Sequence, residues 1–178
     1  MSVMRLGIAG VALLAAGCAA SRPVTVTTAG AAAASAHADV HDASGKLLGR
    51  LTLSPTTDGV RLQGTLQGLP AGVHALHLHA VGQCVPPFTS AGPHFNPANV
   101  PHGLSTPQGG HAGDLPNVVV GPDGRGVVDV TGGARLEGAI ALLDADGAAV
   151  VLHAAPDDNV TDPAGNAGAR IACGVVTR

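Results

Sequence analysis

The chain has 178 residues, of which 46 % are apolar and 12 % are charged, and its formal net charge is -3. Its 26 glycines and 13 prolines indicate short elements joined by many turns, in one domain or in one domain with a tail. It has no basic run, no tryptophan or tyrosine and only two phenylalanines. It therefore lacks both the charge pattern and the stacking groups of a nucleic-acid-binding protein.

The N-terminus has the features of an export signal. Arg5 precedes the apolar run "LGIAGVALLAA" at 6–16, which is too short to span a bilayer as a stable helix. Small residues then lead to Cys18 in "LLAAGC", which resembles a bacterial lipobox and predicts lipidation of Cys18. Ordinary secretory cleavage followed by release is the alternative. Either reading predicts export to the periplasm or cell envelope, with membrane attachment only through a lipid anchor.

Residues 19–36 have no amphipathic period and predict a flexible tether, so that the folded domain occupies 37–178. Within it, short alternating or β-branched runs are separated by Gly, Pro and Asp turns and contain no sustained helical period. This pattern predicts an all-β antiparallel sandwich or barrel. The predicted strands are 38–43, 46–53, 60–67, 73–80, 117–121, 126–130, 148–154 and 170–176.

Two long segments, 81–116 and 155–169, interrupt this rhythm. Long loops in a compact domain are usually functional. The first contains His94, His102, His111 and Asp114 among glycines and prolines. We therefore expect a metal ion to order these loops.

The strand "GVHALHLHAVGQC" at 72–84 contains three histidines. Because alternate residues of a strand face the same side, His77 and His79 point together and offer two nitrogens to one ion. Taken alone, the pair is equally compatible with two solvent-facing histidines. His74 lies on the other face and is interpreted as a hydrogen-bonded structural residue, and His37 and His41 as ordinary strand or surface residues.

The longer pattern is more specific. The chain continues with "SAGPHFNP" (90–97), "PHG" (101–103), "GGHAGDLPNV" (109–118), "VVLHAAPDD" (150–158) and "GNAGARIACGVV" (165–176). From about residue 37 to the C-terminus it resembles the copper–zinc superoxide dismutase family. The resemblance implies an eight-stranded Greek-key form of the sandwich or barrel, with two long functional loops.

The resemblance also implies two metal ions per chain, one copper and one zinc. Copper would be bound by His77, His79, His94 and His153, and zinc by His94, His102, His111 and Asp114. His94 would then bridge the metals and store a proton in catalysis. Asp157 would hydrogen-bond His77 and His102, and Arg170 would lie over the open copper position as a dock for a small anion.

The resemblance places Cys84 and Cys173 at the positions of the family's disulfide. Export would bring these cysteines into an oxidising compartment, where disulfides form and persist. The bridge would stabilise the fold by roughly 4–5 kcal/mol in the chain-entropy model. Two buried free thiols are the alternative.

The activity implied is dismutation of superoxide to dioxygen and hydrogen peroxide. Two non-catalytic alternatives are a copper-delivery or copper-buffering protein and a structural domain that keeps zinc only. The protein could be a monomer or a homodimer. No Lys or Arg occurs between Ala71 and Gly124, so a basic funnel that steers superoxide is not expected in that stretch.

Overall fold

The protein is described by a computed structural model that covers residues 35–178. The predicted signal peptide, Cys18 and nearly all of the predicted tether lie outside the described residues. In the described part no helix has the length and apolar character needed to cross a membrane. Residues 35–178 form nine strands and one short 3-10 helix, Thr89–Ala91. The strands are β1 (Ala36–Asp42), β2 (Leu47–Pro55), β3 (Val60–Gln67), β4 (Gly72–His74), β5 (Leu76–His79), β6 (Val118–Val120), β7 (Arg125–Gly132), β8 (Ala149–His153) and β9 (Arg170–Thr177).

All strands belong to one antiparallel sheet with the order β4-β6-β7-β3-β2-β1-β9-β8-β5. Its first and last strands, β4 and β5, are consecutive in the chain, so the sheet curls into a nearly closed barrel. The all-β antiparallel prediction is confirmed. The single strand predicted at 73–80 is divided at Ala75, whose N–H donates to Ala155 O and whose carbonyl accepts from His153 N, both at 2.9 Å. This division accounts for nine strands instead of eight.

The barrel interior is lined by the alternate apolar residues of each strand. On β2 and β3, Leu51, Leu53 and Leu62 are fully buried, whereas the intervening Thr52 and Arg61 are exposed. Burying a leucine side chain contributes roughly 1.5–3 kcal/mol. The period-two pattern that predicted these strands therefore also specifies which of their faces forms the core.

Strand β5 differs because both of its faces are buried. Leu76 and Leu78 belong to the main hydrophobic core. His77 and His79 point to the other side of the sheet, yet each is 0 % exposed. The long connections at 80–117 and 154–169 provide the covering residues, so the loops enclose the histidine face of this strand.

A third long connection, residues 133–148, was not singled out from the sequence. Its chain folds back on itself through the bonds from Leu142 N to Arg135 O and from Leu143 N to Leu136 O, at 2.9 and 3.2 Å. Leu136 and Leu142 are buried in the main core. This loop contacts the barrel through apolar side chains, as the first long loop also does through Phe95 and Leu115.

Candidate metal centre

Four histidines converge on the face of β5 that points away from the barrel interior, and we call them the first donor set. Strand β5 contributes two of them, the end of β8 one and the first long loop one. β5 pairs antiparallel with β8, with His77 opposite Val151, so His153 lies diagonally across from His77. An isolated bridge between His79 and His94 fixes the loop histidine. One nitrogen from each ring lies within 4.8 Å of the others. The set consists of His77, His79, His94 and His153.

The hydrogen bonds of these rings leave one nitrogen of each unused. Nδ1 of His79 bonds to Gly92 O at 2.9 Å and Nδ1 of His153 to Gly168 O at 3.2 Å, while Nε2 of His77 bonds to Asp157 at 2.7 Å. The opposite nitrogens are buried without a partner, which is costly for a polar group unless a ligand satisfies it. Imidazole nitrogens suit copper in both oxidation states. The unpaired atoms are His77 Nδ1, His79 Nε2, His94 Nε2 and His153 Nε2.

Three rings of the first donor set, those of His77, His79 and His153, are held in the neutral form that metal binding requires. Burial lowers the pKa of His79 to about 2 and that of His153 to about 3. Burial also lowers the pKa of His77, although the hydrogen bond to Asp157 opposes the effect. These rings therefore offer lone pairs at neutral pH.

The second donor set lies on the first long loop and consists of His94, His102, His111 and Asp114. The distances from Asp114 oxygens to Nδ1 of His94, His102 and His111 are 2.9, 3.0 and 3.2 Å. Nδ1 of His94 and of His111 are 3.4 Å apart. Four ligands of a tetrahedral ion with bonds of ~2.0 Å are ~3.3 Å apart, so the spacing fits zinc.

His102 supports this interpretation. Its Nδ1 lies near Asp114 but makes no hydrogen bond, as expected when two ligand atoms aim at a common point instead of at each other. The carboxylate of Asp114 also accepts the backbone N–H groups of Gly103 and His111, both at 2.9 Å. Burial would raise the pKa of Asp114, but these bonds and that of His94 outweigh it and hold the pKa well below its usual range.

His94 belongs to both sets. Its Nδ1 contacts Asp114 and its Nε2 is one of the unpaired buried atoms. A single ring therefore faces both donor sets, one with each nitrogen. Its backbone is fixed because the neighbouring Phe95 donates to Leu78 O on β5 at 2.8 Å.

A third buried group, His77, His102 and Asp157, joins the two sets. Asp157 accepts Nε2 of His77 at 2.7 Å and Nε2 of His102 at 3.0 Å. Each histidine keeps its other nitrogen for its own donor set, so Asp157 orients one ring of each set. Burial would raise the pKa of Asp157, but these two hydrogen bonds hold it well below its usual range.

Two residues that support Asp157 were missed from the sequence. The side chain of Asn117 makes two hydrogen bonds with the backbone of Asp157. Its Nδ2 donates to Asp157 O at 2.9 Å, and its Oδ1 accepts a hydrogen bond from Asp157 N at 2.8 Å. Gly165 has a φ of +61°, and a Cβ there would lie 1.8 Å from Asp157 Oδ1. The motifs "DLPNV" and "GNAG" contain both residues, but no periodicity reveals these contacts.

Arg170 begins β9 and lies opposite His153 in the sheet. Nη1 donates to Phe88 O and Nη2 to Gly92 O, both at 2.7 Å. Gly92 O also accepts Nδ1–H of His79, so the guanidinium lies beside the first donor set. Burial lowers the pKa of Arg170, although a guanidinium stays charged in proteins.

The predicted disulfide is confirmed, because Cys84 and Cys173 are bonded across 89 residues. The structural interpretation of His74 is also confirmed. Its nitrogens bond to His153 O and Pro70 O at 2.8 and 2.9 Å, which leaves neither for a metal. His41 Nδ1 bonds to the carbonyl of Asp39 and takes no part in either donor set.

Comparisons with known proteins agree with this geometry. Residues 47–176 match the family model described as copper/zinc superoxide dismutase (SODC). The Cu–Zn superoxide dismutase of Caulobacter vibrioides is 45 % identical over 148 residues, which cover 80 % of this chain and 85 % of that one.

Solved structures give the same result. The crystal structure of a superoxide dismutase-like protein from Bacillus subtilis superimposes with a TM-score of 0.72 at 37 % identity, covering 78 % of this chain and 96 % of that one. For the Cu/Zn superoxide dismutase of Brucella abortus the TM-score is 0.67 at 27 % identity, with 80 % and 99 % covered. The chain therefore belongs to the copper/zinc superoxide dismutase family.

Proposed function

We propose that this protein dismutates superoxide, with copper in the first donor set and zinc in the second. In the overall reaction two superoxide anions and two protons give one dioxygen and one hydrogen peroxide. Copper supplies the one-electron redox couple, and zinc supplies charge and structure without redox chemistry. The observation that carries the proposal is the convergence of four buried, unpaired imidazole nitrogens beside the guanidinium of Arg170.

The residues of the chain have separate tasks in this proposal. Arg170 attracts and orients the small anion, because its charge is permanent and two carbonyl oxygens fix its position. His94 Nε2 takes up and releases the proton that is passed to the reduced oxygen. Asp157 keeps the rings of His77 and His102 in the tautomer that leaves Nδ1 free for a metal.

The experiment is metal analysis combined with superoxide decay on the same preparations. The chain loaded with copper and zinc should remove superoxide and form one peroxide per two superoxide consumed. The zinc-only chain is the matched control and should be inactive. A fully loaded chain that accelerates superoxide decay no more than the control would contradict the proposal.

The alternative functions are separate outcomes of this experiment. A copper-delivery protein would bind copper, fail to turn over superoxide and pass the metal to a chelating acceptor. A structural domain would retain zinc alone after equilibration with both ions. Neither is favoured here, since both donor sets and Arg170 are in place.

We further propose export and lipid anchoring at Cys18, on the strength of the N-terminal sequence and of a disulfide suited to an oxidising compartment. Mass spectrometry of the mature N-terminus is the test. A diacylated Cys18 is expected, with release from membranes in Cys18→Ser. An unmodified N-terminus would instead indicate ordinary secretory cleavage.

A further inference from the structure

The 3-10 helix Thr89–Ala91 is flanked by two residues with positive φ, Phe88 in the left-handed helical conformation (φ 71°, ψ 13°) and Gly92 in a different one (φ 74°, ψ -159°). Each flanking residue turns its carbonyl oxygen toward Arg170. Phe88 O accepts Nη1–H and Gly92 O accepts Nη2–H, both at 2.7 Å. The two ends of a single helical turn thus hold one guanidinium.

Phe88 is the unusual member of this pair. Glycine adopts a left-handed backbone without steric cost, whereas a bulky L-residue does not. The other non-glycine residues with positive φ in the described part of the chain are asparagines at 99, 159 and 166, which tolerate this conformation. A strained phenylalanine persists only where its surroundings hold it.

The surroundings of the ring provide that hold. Phe88 is 2 % exposed and packs in a small cluster apart from the main core, beside the disulfide, with Ala91, Ala149, Val151, Cys173 and Cys84. On the backbone, Phe88 N donates to Val85 O at 2.6 Å, and Phe88 O also accepts Ala91 N at 3.2 Å. The packing of the ring and these backbone hydrogen bonds fix the conformation of Phe88. Its carbonyl oxygen therefore points toward Arg170.

We propose that Phe88 is a positioning residue for Arg170, its buried ring holding the left-handed backbone that aims its carbonyl oxygen at the guanidinium. The catalytic meaning of this role rests on the proposed function, in which Arg170 receives superoxide. The positioning of Arg170 by Phe88 should affect any small anion that Arg170 attracts to the first donor set, not superoxide alone.

The test compares two variants that both lack the ring. Phe88→Ala and Phe88→Gly lose the same packing, but only glycine takes up φ near +70° freely. Azide binding to the copper- and zinc-loaded protein, followed by absorption, is the readout. We expect Phe88→Ala to weaken azide affinity roughly fivefold, the worth of one hydrogen bond, and Phe88→Gly to recover most of it. Equal losses, or a larger loss for glycine, would mean that Phe88 only fills the core.

A double-mutant cycle with Arg170→Gln shows whether the effect passes through Arg170. The Phe88→Ala effect on azide affinity should disappear in the Arg170→Gln background, and an undiminished effect there overturns the proposal. Val150→Ala is the matched packing control because Val150 lies in the main core and not in the Phe88 cluster, and it should leave azide affinity unchanged. Should Phe88→Ala fail to fold, Phe88→Leu keeps an apolar anchor and enters the same cycle with a smaller loss.

A copper-free measurement separates this inference from the proposed function. In the zinc-loaded protein the Nη–H groups of Arg170 should give protected, resolved nitrogen-15 NMR signals. These signals should be lost in Phe88→Ala and retained in Phe88→Gly. Absence of superoxide turnover would refute the function without touching this result, whereas unchanged signals in Phe88→Ala would refute the positioning role alone.

Discussion

At the residue scale, the site depends on how each histidine uses its two nitrogens. In His77, His79 and His153 one nitrogen is tied to a carbonyl or carboxylate and the other is buried and free. The tied nitrogen selects the tautomer, and the free nitrogen then carries the lone pair. The same rule excludes His74, in which both nitrogens are tied.

Asp157→Asn should weaken metal retention without unfolding the barrel. The amide cannot accept hydrogen bonds from both His77 and His102, and losses of this kind typically reduce metal affinity roughly 10–100-fold. We expect zinc to be affected most. Chelator competition measures affinity, and circular dichroism checks the fold.

The matched control for that variant is Asp158→Asn, because the neighbouring carboxylate is exposed and bonds only within its own loop, to Thr161 and Asn166. Wild-type affinity for both metals in Asp157→Asn, or equal losses in the two variants, would show that Asp157 does not orient the ligands.

The metal-free protein should lose stability as the pH falls below about 6.5. Unfolded histidines take up a proton near that pH, whereas folding lowers the pKa of His79 to about 2 and that of His153 to about 3. Above pH 6.5 these rings are neutral in both the folded and the unfolded state, so they do not make the stability depend on pH. Below it the unfolded state binds more protons, which costs up to about 1.4 kcal/mol per pH unit for each ring.

Urea unfolding of the metal-free chain between pH 8 and pH 5 measures this effect. The midpoint should be constant at the upper end and fall steadily at the lower end, and His79→Gln should reduce the slope. A midpoint that is independent of pH throughout this range would mean that the folded rings protonate as readily as the unfolded ones.

At the element scale, the barrel and its long loops are stabilised differently. Strands β2 and β3 bury leucines in a continuous core, and the 133–148 loop adds Leu136 and Leu142 to it. Three members of the second donor set, His102, His111 and Asp114, instead lie between Phe95 and Leu115, where the loop is anchored in the core at both ends but is rich in glycine and proline. Zinc binding is therefore expected to supply much of the order of that loop.

His111→Ala should remove zinc and loosen residues 95–116 while copper still binds. His111 is chosen because it contacts Asp114 and His94 but not Asp157, so the hydrogen bonds of Asp157 to His77 and His102 are kept. Hydrogen exchange of the loop and the content of each metal are the measurements. His37→Ala on β1 is the control, and unchanged zinc content in His111→Ala would contradict the assignment.

Sequence patterns predicted the barrel well because alternation is local. Strand β3 has the predicted bounds 60–67, and the division at Ala75 was missed because it depends on bonds to residues 153 and 155. Family motifs identified the residues that the structure groups into the two donor sets. The roles of Asn117 and Phe88 could not be predicted, since each depends on a backbone contact with a residue at least 40 positions away.

At the scale of the whole molecule, the charge distribution offers little attraction to an anion. The folded domain has 7 basic and 12 acidic residues. Arg50 and Arg61, on β2 and β3, are paired with Asp39 and Asp129 at 2.6 and 2.7 Å. These strands lie at least four positions from β5 in the sheet. We therefore expect long-range steering of superoxide to rest mainly on the metals and Arg170.

The salt dependence of kcat/KM should accordingly be shallow. Raising the salt from ~0.01 M to ~0.15 M shortens the Debye length from ~30 to ~8 Å, and we expect the rate to fall only a few-fold. Arg170→Gln should slow turnover and flatten the slope further. A steep decline that persists in Arg170→Gln would mean that other basic residues steer the substrate.

The shared ring of His94 unites the two donor sets, and magnetic coupling across it is the most direct measurement of that arrangement. The protein is loaded with Cu²⁺ in the first set and either diamagnetic Zn²⁺ or paramagnetic Co²⁺ in the second. The copper electron paramagnetic resonance signal should be intact with zinc and largely lost with cobalt, because one imidazolate connects the ions. A copper signal of equal intensity in both forms, with both sites shown to be filled, would contradict a bridge through His94.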